Sequence, residues 1–368
     1  MCNDGRGAAS GFRPDVEGLR AVAVLFVVAN HLGWLGGGFV GVDIFFVISG
    51  FLITGLLRDE LERTGGISFI GFYRRRARRI LPAAVCVLLV TNLVGHQVFL
   101  ANRVHQTGVD SLWALGFLAN VHFAAVGTQY FQADLPPSLV QHYWSLSVEE
   151  QFYLLWPLLL LGAALLLRRR GLRSHVMAGR WPLAGLVLAV TAVSFGWSMR
   201  LSVTAPAQAY FATTARAWEL GVGALLAVCA PTVGRLPPRT RPALALAGLA
   251  AIGASAALVH GGPGFPAPAA ALPVLGAGAV IAAGARGWSV TLLTNPVSRY
   301  VGRVSYSLYL WHWPAVLTCE ALVPRDAGVF LPLLGCVLVS LTIASYHLVE
   351  VPFRTGAAGG VRGSGRRR

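Results

Sequence analysis

Ten stretches of the chain read as nearly continuous apolar runs of membrane-crossing length: 19–36, 39–57, 80–100, 148–167, 182–201, 209–230, 241–260, 268–284, 301–323 and 329–352. A helix needs roughly 20 such residues to cross the hydrocarbon of a bilayer, so each run predicts a spanning helix. An eleventh apolar stretch, 111–127, is broken by Asn120 and His122. The polar positions between runs decide its status. Arginine is concentrated at the N-terminus, in 58–79, 168–180, 235–241 and 286–303, and after 352, whereas 33–38, 101–147, 202–208, 261–267 and 324–328 hold only Arg103 and Arg325. If 111–127 does not span, these two sets alternate strictly and both termini are cytoplasmic, as positive-inside sorting requires. The pattern therefore predicts an all-α polytopic membrane helix bundle of about ten transmembrane helices. Segment 101–147 falls outside, with 111–127 lying on the membrane or dipping into it.

Composition agrees. Hydrophobic residues make up 55% of the 368 and charged ones only 12%, against roughly a quarter charged in soluble domains. Mean hydropathy is +0.62. No polar stretch is long enough to fold separately, so one membrane domain is expected over 12–354, between a cytoplasmic tail at 1–11 and a disordered basic tail at 355–368 that can touch anionic lipid. All 30 basic residues are arginine and the net charge is +15. Their place between apolar runs reports topology and argues against nucleic acid as a partner. Five cysteines without pattern give neither a disulfide framework nor a metal site. The early run AVAVLFVVA is followed by His31, Trp34 and glycines in place of a cleavage site, which marks a retained first helix.

Ionisable groups inside spans are costly, and each is a functional candidate. On the first span Arg20 and His31 are separated by close to three turns, which places them about 16 Å apart on nearly the same face. The bland alternative is a snorkelling arginine and a packing histidine. Asp43 and Ser49 lie on the second span, and a hairpin through GWLGGG brings Asp43 to the depth of His31. A carboxylate holding one ring nitrogen would make the imidazole a competent general base. Asp43 can instead cap the start of its helix.

In FYRRRARRILP, Arg76 and Arg79 share a helical face beside Arg74, Arg75 and Arg78, a placement suited to gripping phosphates but also that of a plain topology anchor. Glu350, two residues before Pro352, is placed to orient one of these arginines. On the outer side His142, Trp144, Glu149 and Glu150 cluster in HYWSLSVEEQFY, either a sugar-binding set or an interfacial aromatic belt. Arg216 with Glu219 reads as a structural ion pair at i,i+3. Tyr306, Tyr309 and His312 form a further buried constellation.

Taken together, FRPDVEGLRAVAVLFVVANH, GGFVGVDIFFVISGFLIT, FYRRRARRILP, HYWSLSVEEQFY, RAWELGVGALLA, SYSLYLWHWP and HLVEVPFR resemble the acyltransferase 3 family of integral-membrane O-acyltransferases over nearly all of residues 12–354. The resemblance implies transfer of an acyl group, usually acetyl from cytoplasmic acetyl-CoA or another short acyl-CoA, to hydroxyls of envelope glycans or secreted glycosylated metabolites. No metal is implied. The family's Arg-then-His pattern falls on Arg20 and His31, its RxxR on Arg76 and Arg79, and its ExP on Glu350 to Pro352. The chain resembles the stand-alone form, without the extracytoplasmic hydrolase-like domain. Its arginine-only, Ala/Val/Leu/Gly-rich usage suggests a high-GC bacterium, and the resemblance then implies the bacterial inner membrane.

On this reading Arg20, Arg75, Arg76, Arg79 and Glu350 gather at the cytoplasmic face to hold the donor's phosphates, and His31, steadied by Asp43, is the general base. His142, Trp144, Glu149, Ser49, Tyr309 and His312 line the acceptor side, with Ser49 and Tyr309 as candidate stabilising donors and a covalent route through Ser49 or His31 left open. Two rivals stand against this. A transporter or flippase of a lipid-linked sugar would also line its path with polar residues, and a non-catalytic interaction protein would not need His31 and Asp43 at matched depth.

Overall fold

A computed structural model describes residues 13–128, 136–169 and 180–355, so the tail expected at 1–11 and all of that expected at 355–368 except Thr355 lie outside the described residues, as does much of the arginine cluster at 168–173. Regular structure among the described residues is helical throughout. In chain order the helices are α1 (Pro14–His31), α2 (Gly41–Thr64), α3 (Phe69–Val98), α4 (Ala101–Leu115), α5 (Ala119–Ala125), α6 (Tyr143–Arg169), α7 (Arg180–Thr204), α8 (Pro206–Phe211), α9 (Thr213–Val228), α10 (Ala230–Val233), α11 (Thr240–Leu258), α12 (Ala271–Ala283), α13 (Thr291–Thr294), α14 (Pro296–Leu322), α15 (Phe330–Ala344) and α16 (Val351–Thr355). A π-helical turn, Ser345–Glu350, joins α15 to α16.

Each expected span overlaps helix, although 19–36 runs past the end of α1 at His31 and 209–230 is divided among α8, α9 and α10. Six helical stretches are long and apolar enough to cross a membrane: Gly38–Thr64, Phe69–Val98, Tyr143–Leu166, Trp181–Thr204, Thr240–Leu258 and Phe330–Thr355. The others carry the polar cargo or are shorter: α1 begins with Asp15, Glu17 and Arg20, α14 holds Arg299, Arg303 and Glu320, and α9 and α12 have 16 and 13 residues. The stretch 111–127 is no continuous helix. It is divided between the end of α4 and the seven-residue α5 by a turn in which Phe117 takes a left-handed φ of 54°. Seven residues rise only about 10 Å, far short of the hydrocarbon core.

The centre of the bundle is made by α1, α2, α9 and α14. Backbone contact between α2 and α9 is set by two glycines, because a Cβ on Gly50 would collide with the Leu220 carbonyl and one on Gly223 with the Val47 carbonyl. Small residues at such crossings let helices approach until their backbones touch, the usual source of association where lipid removes the hydrophobic drive. Outward faces are apolar: Leu154, Leu155, Leu158 and Leu159 on α6 and Leu186, Val193 and Val203 on α7 are all exposed. Runs of exposed leucine and valine on adjoining helices suit contact with acyl chains.

Candidate active site

Helix α1 carries Arg20 near one end and His31 as its last residue, and it packs along α14. On α14, Ser305, Tyr309 and His312 follow the i, i+4, i+7 spacing that lines one helical face. Arg20 Nε donates to Ser305 Oγ at 3.2 Å, and His31 Nδ1 lies 2.8 Å from His312 Nε2. The two helices thus hold one polar seam between them, basic at one end and imidazole-rich at the other.

The hydrogen bonds assign the tautomers. His312 Nδ1 is bonded to the Tyr309 carbonyl, which only accepts, so that nitrogen carries the proton and Nε2 is the acceptor. His31 must then donate from Nδ1, which leaves Nε2 as its basic nitrogen. His142 Nε2 donates to the Leu310 carbonyl at 3.0 Å, and its ring lies 5.5 Å from that of His312. The Tyr309 hydroxyl donates to the His142 carbonyl at 3.0 Å and meets Ser145 Oγ. Trp313 packs on the other side of His31, with ring centroids 4.3 Å apart. His312 and His142 are buried, while His31 is half-buried.

A second layer lies along α6. Ser49 Oγ donates to Glu149 Oε1 at 2.6 Å, and the Tyr153 hydroxyl donates to the same oxygen. Arg76 reaches Glu150 at 3.1 Å and lies over the Tyr153 ring, 3.7 Å from its centroid. The third layer is the basic end. Ser307 Oγ donates to Glu350 Oε2 at 3.1 Å, Arg354 lies 3.8 Å from Glu350, and Arg20 and Arg79 are among the charges that act on that carboxylate. Arg79 is half-buried and makes no hydrogen bond to any described residue.

Several expected partners are rearranged. Asp43 does not hold His31. Its Oδ1 accepts from Arg216 at 2.8 Å, and Arg216 is bonded at the same distance to Glu219. The matched depth of Asp43 and His31 is real in sequence, but depth leaves the azimuth on the helix open, and α2 turns Asp43 toward α9. His312 holds the ring nitrogen instead. The outer set also divides: His142 joins the histidines, Glu149 joins Ser49 and Arg76, and Trp144 packs over the Arg216 guanidinium, 5.3 Å from its centroid. Arg75 is exposed and pairs with Glu60 at 3.5 Å, away from the inward-facing Arg76 and Arg79. Sequence reasoning passed over Ser305, Ser307, Ser145, Tyr153 and Trp313, although the regular spacing along α14 marks the first of these. Among the described residues no three His, Cys, Asp or Glu side chains are placed to hold a metal ion.

The sequence profile described as an acyltransferase domain, that of the acyltransferase 3 family, matches residues 13–349. The chain belongs to this family. It is 32% identical over 363 residues to the peptidoglycan O-acetyltransferase of Listeria monocytogenes, covering 93% of this chain and 56% of that protein. A putative peptidoglycan O-acetyltransferase of Bacillus subtilis is 31% identical over 366 residues, with 93% and 55% covered. A putative O-acetyltransferase of Staphylococcus aureus is 31% identical over 372 residues, with 93% and 57% covered. The chain thus spans about half the length of the curated relatives it matches. No solved structure matches it significantly.

Proposed function

We infer that the chain is a multi-pass O-acyltransferase of a bacterial cytoplasmic membrane. It moves a short acyl group, acetyl in the first instance, from cytoplasmic acyl-CoA to a sugar hydroxyl of a cell-envelope glycan. The observation that carries this reading is the relay from the Tyr309 carbonyl through His312 to His31, at the far end of α1 from Arg20. Family membership favours an enzyme over a transporter, and the names of the relatives supply acetyl and peptidoglycan as the first donor group and acceptor to try.

The donor's phosphates dock at the basic end, where Arg79 has donors to spare and Arg20 and Arg76 flank it with charge-assisted hydrogen bonds. The thioester arm runs along the seam between α1 and α14 toward the histidines. His31 Nε2 takes the proton of the acceptor hydroxyl as its oxygen attacks the thioester carbonyl. The C–O bond forms, the C–S bond breaks, and the proton passes to the departing thiolate. Holding His31 Nδ1–H on His312 Nε2 keeps Nε2 basic and gives the transient imidazolium an acceptor for its other proton. The acceptor sugar enters beside His142, Tyr309 and Trp313. Ser49 and Tyr309 already donate elsewhere, so either must change partner to stabilise the oxyanion.

A second reading rests on the 2.6 Å bond from Ser49 to Glu149. There a carboxylate sits where it can take the serine proton, which favours a covalent acyl-serine step. One experiment separates the two. Protein in vesicles is incubated with radiolabelled acetyl-CoA and no acceptor, then denatured. Direct transfer predicts no label on the protein, whereas a label lost on Ser49→Ala establishes the covalent route. Release of labelled glycan on adding peptidoglycan fragments tests the function itself, and its absence with active wild-type protein would refute it.

A further inference from the structure

The connections before α11 and after α12 meet beside the start of α1, where Gly284 abuts Asp15, at the other end of that helix from His31. These two helices pack on each other, and α12 packs also on α2 and α9, whereas α3, which carries Arg76 and Arg79, packs mainly on α14 and α4. Between the connections lies a cavity of about 670 Å³, lined by Arg235, Leu236, Pro238, Arg241, Arg286 and Trp288 among others. Three arginines face it, and no carboxylate is among the residues that line it.

Arg241 builds the site. It is buried, and it bonds the carbonyl oxygens of Gly234 and Leu236 from one connection and Ala285 from the other. A guanidinium donates through five N–H groups, and Arg241 Nε, sealed from solvent, has no partner. Arg286 is held beside it in a left-handed conformation, φ 61° and ψ 28°, which a non-glycine residue adopts only under constraint from its surroundings. Trp288 is half-buried next to it. Exposed Leu246 on α11 and Leu292 on α13 place apolar surface within a few residues of Arg241 and Trp288. The site therefore combines cationic forks, an indole at the rim and a greasy flank.

We propose that this cavity binds the phosphodiester headgroup of an anionic phospholipid. The arginine forks match phosphate oxygens, Trp288 supplies an indole of the kind that collects at headgroup level, and the neighbouring leucines offer apolar surface to acyl chains. A soluble phosphate ester would use the arginines but would gain nothing from the exposed leucines. No residue lining the cavity belongs to the donor dock, and neither Arg235 nor Arg286 is part of the acyl-transfer machinery.

The test uses purified full-length protein, delipidated in an uncharged detergent, and follows its thermal midpoint as ligand is added. Phosphatidylglycerol should raise the midpoint saturably, and phosphatidylcholine should not. Each arginine lost should raise the half-saturating phosphatidylglycerol concentration about ten-fold, as one charge-assisted hydrogen bond is worth. Arg286→Ala and the double variant Arg235→Ala with Arg286→Ala are exposed positions and leave Arg241 in place, so both should fold. Arg286→Lys, which keeps the charge but not the fork, should fall between wild type and Arg286→Ala. Equal stabilisation of wild type and double variant by phosphatidylglycerol would overturn the site. Stabilisation by inorganic phosphate or adenosine 3′,5′-bisphosphate that the double variant loses, with phosphatidylglycerol inert, would overturn the lipid assignment.

Discussion

Two buried polar clusters sit at the heart of the bundle and differ in how they end. In the triad of Asp43, Arg216 and Glu219 every member is sealed from solvent, and the guanidinium is caged by Phe46, Trp144, Tyr210 and Phe265 with centroids 5.1 to 5.6 Å away. Both carboxylates terminate on the same arginine. The histidine cluster, by contrast, is a chain with direction, running from a backbone carbonyl through His312 to the basic nitrogen of a half-buried His31. The first cluster closes on itself, two carboxylates on one guanidinium, and ties α2 to α9. In the proposed mechanism the second presents the His31 Nε2 lone pair to the acceptor hydroxyl. Burial of ionisable groups in a membrane protein marks cost, and the direction of the hydrogen bonds is what sets the two clusters apart.

The comparison breaks first at Arg216. Arg216→Ala strands two carboxylates in an apolar cage and should destabilise the protein by about 3–5 kcal/mol. Loss of folded protein in size-exclusion profiles and thermal scans checks this, and wild-type yield and midpoint would show that the triad is no fastening. Smaller in stability but sharper in function is His312→Ala. It removes the partner that fixes the His31 tautomer and should lower kcat about 10- to 100-fold, as loss of a residue that holds a catalytic ligand does. The thermal midpoint should move little, and the pH profile of kcat should change because His31 loses its acceptor. A rate loss without a changed profile would make His312 a packing residue.

Arg79→Ala should raise the KM for acyl-CoA with kcat and the acceptor KM nearly unchanged, the signature of lost uniform binding. The smallest effect is expected at Asp43. Asp43→Asn keeps an acceptor for Arg216 and removes one of two carboxylates facing one guanidinium, so activity per folded molecule should stay within about three-fold, under 1 kcal/mol. A loss comparable to that of His312→Ala would return Asp43 to the catalytic set.

The spans were legible because an apolar run of twenty residues has few alternatives to a helix. Placement was legible where it depended on position along one helix, as for Arg20 and His31 on α1. It was not legible where it depended on the rotation of helices about their axes. Asp43 and Arg216 are 173 residues apart, and nothing local says that α2 turns its carboxylate toward α9. Glu149 and His142, seven residues apart on one stretch, belong to different layers because two turns of helix carry Glu149 about 10 Å deeper. The break at Ala212 between α8 and α9 and the π turn at Ser345–Glu350 arise from packing and have no composition signal.

The central claim is that His31 Nε2 removes the proton of the acceptor hydroxyl, and it is tested most directly by the rate of label transfer from acetyl-CoA to peptidoglycan fragments by His31→Ala. Protein is reconstituted in vesicles and matched to wild type by thermal midpoint. Loss of a general base should lower the rate about 10²- to 10⁴-fold at an unchanged midpoint. Transfer at more than about a tenth of the wild-type rate, 1.4 kcal/mol or less of transition-state stabilisation, would contradict it.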